Sequence, residues 1–275
     1  MIEHTFNTFN SPEIKWYIFM EADTYILWPG MLGWLSKLDA SKPYYLGNQM
    51  QIRDILFAHG GSGFVISRPA MAVATDLLSS KRAYWDKITE SEWAGDCVLG
   101  ILLKEAGIEL NWAWPMLQLA PVQEIDHFAG NYGRTPWCYP AVSFHHLRPE
   151  AVKELANFEA DMARRKPGGI SDPVLWRDVY HELGRPKMSR DIVRGWDNQG
   201  QEEKKVVKNV EECRALCEAD QHCLQFVRRE DGMCVFGRDA RVGSVRSGWE
   251  SGWMLERIDR TAMLLGECKG INWVT

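Results

Sequence analysis

Lys15-Trp16-Tyr17-Ile18-Phe19-Met20-Glu21-Ala22-Asp23-Thr24-Tyr25 is an apolar run that breaks into two carboxylates separated by a single residue. In an extended strand, residues i and i+2 point to the same side, so Glu21 and Asp23 can converge on one point. A run this apolar predicts a strand buried on both faces, as in the central parallel strands of an α/β sheet. Ligand sites of such sheets lie beyond the carboxyl ends of the strands, where these two acids fall. Their oxygens suit a hard divalent cation that also binds substrate phosphates. The competing reading is a pair of helix-entry carboxylates, because Pro29 and the amphipathic segment 31–38 follow within a few residues.

Outward from this stretch, residues 1–165 alternate strand-like and helix-like segments. A helix is predicted over 29–38 and a short strand over 44–47. The run Phe57-Ala58-His59-Gly60-Gly61-Ser62-Gly63-Phe64-Val65-Ile66-Ser67 is a glycine-rich turn feeding a buried strand. Pro69 suits the first turn of a helix running to about Leu78. A further helix is predicted over 94–105, strands over 110–114 and 141–144, and a helix opening at Arg148-Pro149-Glu150. In the last of these, Val152, Leu155, Phe158 and Met162 share one face. The pattern is a βα alternation around a mostly parallel or mixed sheet.

Residues 166–200, with Lys166-Pro167-Gly168-Gly169 and Gly184-Arg185-Pro186, read as a linker. A compact module is expected over 201–275, with a helix at 210–219 and strands at 223–228, 233–237 and 253–258. Five of the seven cysteines lie after residue 212, and four of them (Cys213, Cys217, Cys223, Cys234) fall within 22 residues. Such crowding is typical of disulfide-stapled secretory modules. A zinc site is the rival reading, but the spacing lacks paired Cys-x2-Cys units.

The net charge of −5 gives no reason to expect a nucleic-acid partner. No stretch reaches the roughly 18 apolar residues of a membrane span, and the polar opening Met-Ile-Glu-His-Thr-Phe-Asn is no signal peptide. Taken literally, that describes a soluble cytosolic protein. The cysteines point to the secretory pathway instead, so a targeting segment is expected to be missing. Thirteen tryptophans hint at carbohydrate handling, although most tryptophans serve as core.

Four elements in order carry a family resemblance: Glu21-Ala22-Asp23-Thr24-Tyr25, Gly60-Gly61-Ser62-Gly63-Phe64-Val65-Ile66-Ser67, Gly95-Asp96-Cys97-Val98-Leu99-Gly100 and Ala141-Val142-Ser143-Phe144-His145-His146. Over residues 14–165 the series resembles the second half of the catalytic domain of family 31 glycosyltransferases, nearest the core 1 β1,3-galactosyltransferase branch and its fungal relatives. The resemblance implies a partial GT-A fold with a Rossmann-like mixed sheet. It also implies a Mn²⁺-dependent UDP-sugar donor carrying a hexose, and inversion at the anomeric carbon. UDP-galactose is the expected donor and a glycan or glycoprotein hydroxyl the expected acceptor.

The same resemblance assigns roles. Asp23 matches the last acid of an Asp-x-Asp-type motif. Glu21 stands where that motif usually has Asp, which lengthens the arm and leaves direct ligation or action through water open. His145 matches the histidine that completes the metal shell, with His146 as the competing candidate. Asp96 matches the acid of a Glu-Asp-x-x-x-Gly segment and is the candidate base that takes the acceptor proton; Gly95 replaces the preceding acid. The alternative for Asp96 is a simple helix-start carboxylate favoured by the macrodipole. Gly60, Gly61 and Gly63 would let backbone approach the donor closely, or form an ordinary tight turn. Trp137 and Tyr139 suit either an acceptor-side wall or core and lid packing.

The C-terminal cysteine pattern, with Ser251-Gly252-Trp253-Met254-Leu255, resembles a PAN/apple-like domain, a small disulfide-stapled α+β fold that binds proteins or glycans. That resemblance implies the pairs Cys217–Cys223 and Cys213–Cys234. Cys268 has no obvious partner within the module, and Cys97 reads as a buried thiol. The family's fold begins well upstream of its acidic motif, so the nucleotide-base half and the Golgi membrane anchor are expected to be absent from this chain. A poorly soluble chain of low activity is the resulting expectation. A non-catalytic glycan- or protein-binding remnant is the alternative to an active transferase. A hydrolase is disfavoured, because Glu21 and Asp23 share one strand and cannot flank a scissile bond.

Overall fold

The computed structural model describes residues 1–128, 130–165 and 172–275; the proposed linker motif at 166–169 lies outside the described residues. The chain divides into two compact units. The first comprises Met1–Ala120, Ala141–Pro173 and Trp273–Thr275, and the second Pro121–Pro140 and Val174–Asn272. No helix among the described residues is long and apolar enough to cross a membrane.

The first unit is mixed α/β. Helix α1 (Ile2–Thr8) precedes β1 (Trp16–Phe19), the two-residue β2 (Tyr25–Ile26) and α2 (Trp28–Leu35), whose first turn holds Pro29. Then come β3 (Tyr45–Gly47), the hairpin β4 (Gln49–Ile52) and β5 (Ile55–Ala58), and β6 (Phe64–Ser67). Three helices follow, α3 (Arg68–Ser80), α4 (Arg82–Ser91) and α5 (Gly95–Glu105), and then β7 (Leu110–Trp112), β8 (Ser143–Phe144) and α6 (Pro149–Arg165). Along α6 the buried residues Leu155, Phe158 and Met162 recur at helical spacing.

The main sheet has the order β1-β6-β3-β7, with β7 parallel to β3 and the other pairs antiparallel. This corrects the expectation of a central parallel strand buried on both faces. Among the described residues β1 pairs with β6 alone, from Trp16↔Ser67 to Phe19↔Phe64, and only Tyr17 is fully buried. The run is apolar because each face meets a separate layer. Tyr17 packs on Phe6 of α1 and Phe19 stacks on Phe64, while Trp16, on the other face, lies against Tyr44. Hydropathy alone does not separate two half-covered faces from two buried ones.

The second unit is built on a five-stranded antiparallel sheet. After α7 (Trp176–Val179) the chain passes through a π turn at Tyr180–Gly184 into β9 (Val193–Asp197) and β10 (Glu202–Val206). Helix α8 (Val210–Ala219) is followed by β11 (Gln225–Arg228), β12 (Met233–Gly237), β13 (Ser244–Trp253) and α9 (Leu255–Leu265). The sheet order is β10-β12-β11-β13-β9. Asn209 caps α8 by accepting the Glu212 N–H at 2.9 Å.

Disulfides Cys213–Cys234 and Cys217–Cys223 staple α8 to this sheet, and Cys97 is free and buried. One expectation fails here. Residues 253–258 are not a strand: β13 ends at Trp253, and Leu255, Ile258 and Ala262 turn a helical face inward. Cys268, without a partner inside the 201–275 module, closes a further disulfide with Cys138, 130 residues earlier.

Candidate metal and donor site

Strand β1 ends at Phe19, and the chain turns tightly before β2, with the Thr24 N–H donating to the Glu21 carbonyl at 3.2 Å. The Thr24 hydroxyl donates to the Gly61 carbonyl at 2.7 Å, which ties this turn to the glycine-rich segment. Strand β2 pairs with β8 in the register Tyr25↔Phe144 and Ile26↔Ser143. Just beyond the pair, the Leu147 N–H donates to the Asp23 carbonyl at 3.1 Å. The acidic turn and the His145-His146 pair are thereby clamped side by side.

His145 Nε2 lies 3.4 Å from Glu21 Oε2 and 3.4 Å from Asp23 Oδ1. The imidazole is only 2% exposed, and its Nδ1 has no hydrogen-bond partner among the described residues. His146 takes a left-handed backbone conformation (φ 57°), lays its ring 3.9 Å from that of His145 and brings Nδ1 within 3.7 Å of Asp23 Oδ2.

Gly61 makes room for this arrangement. A Cβ there would fall 2.0–2.5 Å from three atoms of the His145 ring. A Cβ at Gly60 would fall 2.7 Å from Glu21 Oε1, while the Gly60 N–H donates to Asp96 Oδ2 at 3.0 Å. The other oxygen of Asp96 accepts the Cys97 N–H at 2.9 Å, so the carboxylate sits at the head of α5 with both oxygens oriented. Gly63 has a φ of +72° and turns the chain into β6.

The structure brings Glu21, Asp23, Gly60, Asp96 and His145 onto one cleft, whereas Gly61 packs against the His145 ring and neither it nor Gly63 lines the cleft. It also adds His59, which the sequence reading passed over. His59 Nδ1 accepts the Gly61 N–H at 3.1 Å, and its ring lies 5.5 Å from that of His145. Burial lowers its pKa, opposed by the charge of Asp96. Its position immediately before the glycines was the available signal. Trp137 falls elsewhere: it is buried in the core of the second unit, its indole N–H donating to the Gly266 carbonyl at 2.9 Å. Core packing is therefore its role.

Asp23, His145 and His146 each offer a ligand atom within 4.8 Å of the others. The donor set fits a divalent cation on chemical grounds, since carboxylates and a neutral imidazole are ligands for such ions. The 3.4 Å contacts exceed a hydrogen bond and approach the ~3 Å ligand–ligand edge of an octahedral shell with ~2.1 Å bonds. The cleft measures about 1140 Å³, and Phe57, Phe64, Leu99 and Leu102 make up part of its apolar remainder.

A mixed sheet with acids and an imidazole gathered at strand ends is consistent with a GT-A-like unit. Residues 1–129, just under half the chain, match the family model described as Fringe-like, a glycosyltransferase family of the family 31 type. The match spans Glu21, Asp23, the glycine-rich turn and Asp96 and stops before His145. No curated protein matches the chain.

Proposed function

We propose that this chain carries the metal and acceptor-activating part of an inverting glycosyltransferase, in a catalytic domain over 1–165 joined through 166–200 to an apple-like module over 201–275. The reaction moves a hexose, galactose first among them, from a UDP-sugar to a glycan or glycoprotein hydroxyl in β1,3 linkage. One observation carries the reading: Glu21, Asp23 and His145 converge on a single point, and Gly60 links Asp96 to the same cleft.

Asp23 and His145 would hold the cation, with Glu21 completing the acidic side and His146 within reach of Asp23. A bound divalent ion, Mn²⁺ in this proposal, supplies positive charge to the UDP phosphates and to the leaving group. The backbone of Gly60 lets the donor come close without side-chain interference. Asp96 acts as base. As the acceptor oxygen forms its bond to the anomeric carbon, its proton passes to the Asp96 carboxylate. The bond to UDP breaks on the opposite face, and UDP leaves with the electron pair. The Gly60 N–H on Oδ2 keeps that carboxylate aimed into the cleft.

Three disulfides support maturation in an oxidising compartment, the secretory pathway and its Golgi lumen in this reading. Transfer of radiolabelled galactose from UDP-galactose to a core 1 acceptor, with and without Mn²⁺, tests the activity. Metal-dependent transfer that Asp96→Asn abolishes supports the proposal. Absence of both transfer and nucleotide binding supports the non-catalytic alternative.

A further inference from the structure

The glycine-rich turn spends its backbone N–H groups on the chain itself. His59 donates to the Asn48 carbonyl at 2.9 Å, Gly60 to Asp96 Oδ2 at 3.0 Å and Gly61 to His59 Nδ1 at 3.1 Å. Ser62 donates to the His59 carbonyl at 3.3 Å and Gly63 to the Gly60 carbonyl at 3.0 Å. The buried Ser62 hydroxyl is taken up by the His59 and Gly63 carbonyls. Backbone N–H groups of such turns commonly form anion-binding concavities, but here a phosphate finds none of them free. Among residues 59–63 the donor left for a ligand is the imidazole of His59.

The Gly61 bond fixes which nitrogen of that ring carries the proton. A backbone N–H can only donate, so Nδ1 presents its lone pair and the proton sits on Nε2. Nε2 has no hydrogen-bond partner among the described residues, and the half-buried ring lines the cleft. The ring is also pinned through its backbone, whose N–H and carbonyl are both bonded. With one nitrogen engaged and the other already protonated, His59 is no rival to Asp96 as the proton acceptor. It is a fixed, neutral N–H donor.

Its centroid lies 5.5 Å from that of His145, whose Nε2 is 3.4 Å from both Glu21 and Asp23. The donor therefore stands beside the end of the cleft where the acids gather. A group that only donates is matched by an atom that only accepts, and phosphate oxygens are such atoms. We propose that the Nε2–H of His59 donates to a phosphate oxygen of the nucleoside diphosphate held at the Asp23–His145 metal site. This assignment rests on the transferase reading and adds to it the residue that grips the phosphates where the glycine-rich turn does not.

Calorimetric titration of the full chain with UDP and Mn²⁺ tests it on the parent, His59→Asn and His59→Gln. The Asn oxygen takes the place of Nδ1 and keeps an acceptor for the Gly61 N–H, but no N–H reaches the position of Nε2. The longer Gln amide reaches it. His59→Asn should weaken UDP binding about 10–100-fold, the loss expected for a hydrogen bond to a charged group. Its Mn²⁺ affinity without nucleotide, read by electron paramagnetic resonance, should match the parent, and His59→Gln should recover part of the UDP affinity. Long-range ¹H–¹⁵N NMR of the metal-free chain should show His59 protonated on Nε2. An Asn variant that binds UDP as the parent does would overturn the donor role and leave the transferase reading standing. So would a parallel loss of Mn²⁺ affinity, a Gln variant no better than Asn, or a proton found on Nδ1. A parent that binds no UDP with Mn²⁺ would overturn both.

Discussion

The ring of His145 lies so close to Gly61 that a methyl group there would fall 2.0 Å from Cε1 and 2.1 Å from Nε2. The imidazole also lies against His146, with ring centroids 3.9 Å apart. Gly61→Ala should therefore displace a ligand without touching a ligand residue. Mn²⁺ affinity is expected to drop about 10–100-fold, the range seen when groups that orient a ligand are lost. Titration of Mn²⁺ by electron paramagnetic resonance checks this, and an unchanged affinity would contradict it.

Asp96 should separate chemistry from binding. Asn at this position keeps an oxygen for the Gly60 N–H, which the structure pairs at 3.0 Å, gives up the acceptor of the Cys97 N–H, and cannot take a proton at neutral pH. Asp96→Asn is expected to lower kcat about 10²–10⁴-fold and leave donor binding nearly unchanged. A parallel loss of UDP affinity would make Asp96 a structural helix-start residue instead.

The disulfides should differ in what they contribute. Cys138–Cys268 closes a loop of 130 residues and Cys217–Cys223 one of 6. On the loop-entropy account, removing the long bridge costs ~5 kcal/mol and the short one ~2 kcal/mol. Urea denaturation of the two double-serine variants measures the order. Equal midpoint shifts would show that native contacts, not loop length, dominate.

His127 should set an acid limit on stability. It is fully buried against Trp176 and Tyr180, neither ring nitrogen has a partner among the described residues, and burial lowers its pKa from 6.5 to about 4. The unfolded chain therefore binds this proton more readily than the folded one. Stability should fall as pH drops from 6.5 toward 4, by up to ~1.4 kcal/mol per pH unit from this group. His127→Leu should flatten the melting temperature over that window, and an unchanged slope would refute the assignment.

Elements with local signals were legible in the sequence. Pro29 and Pro69 mark the starts of α2 and α3. The convergence of Asp23 and His145 was not legible from spacing, because it depends on the two-residue pairing of β2 with β8, far apart in the chain. The family resemblance supplied that pair; local chemistry would not have done so. Cys138 was hidden from Cys268 for the same reason, lying outside the cysteine-dense segment. The edge position of β1 was misread because an edge strand covered by helix α1 on one face and side chains on the other has the hydropathy of a central one.

In the proposed reaction Asp23 and His145 form a metal-dependent nucleotide site. Calorimetric titration of the full chain with UDP, in the presence and absence of Mn²⁺, tests it most directly. Binding is expected only with Mn²⁺, weakened at least about tenfold by either Asp23→Ala or His145→Ala. UDP binding that is indifferent to Mn²⁺ and survives both substitutions would contradict it.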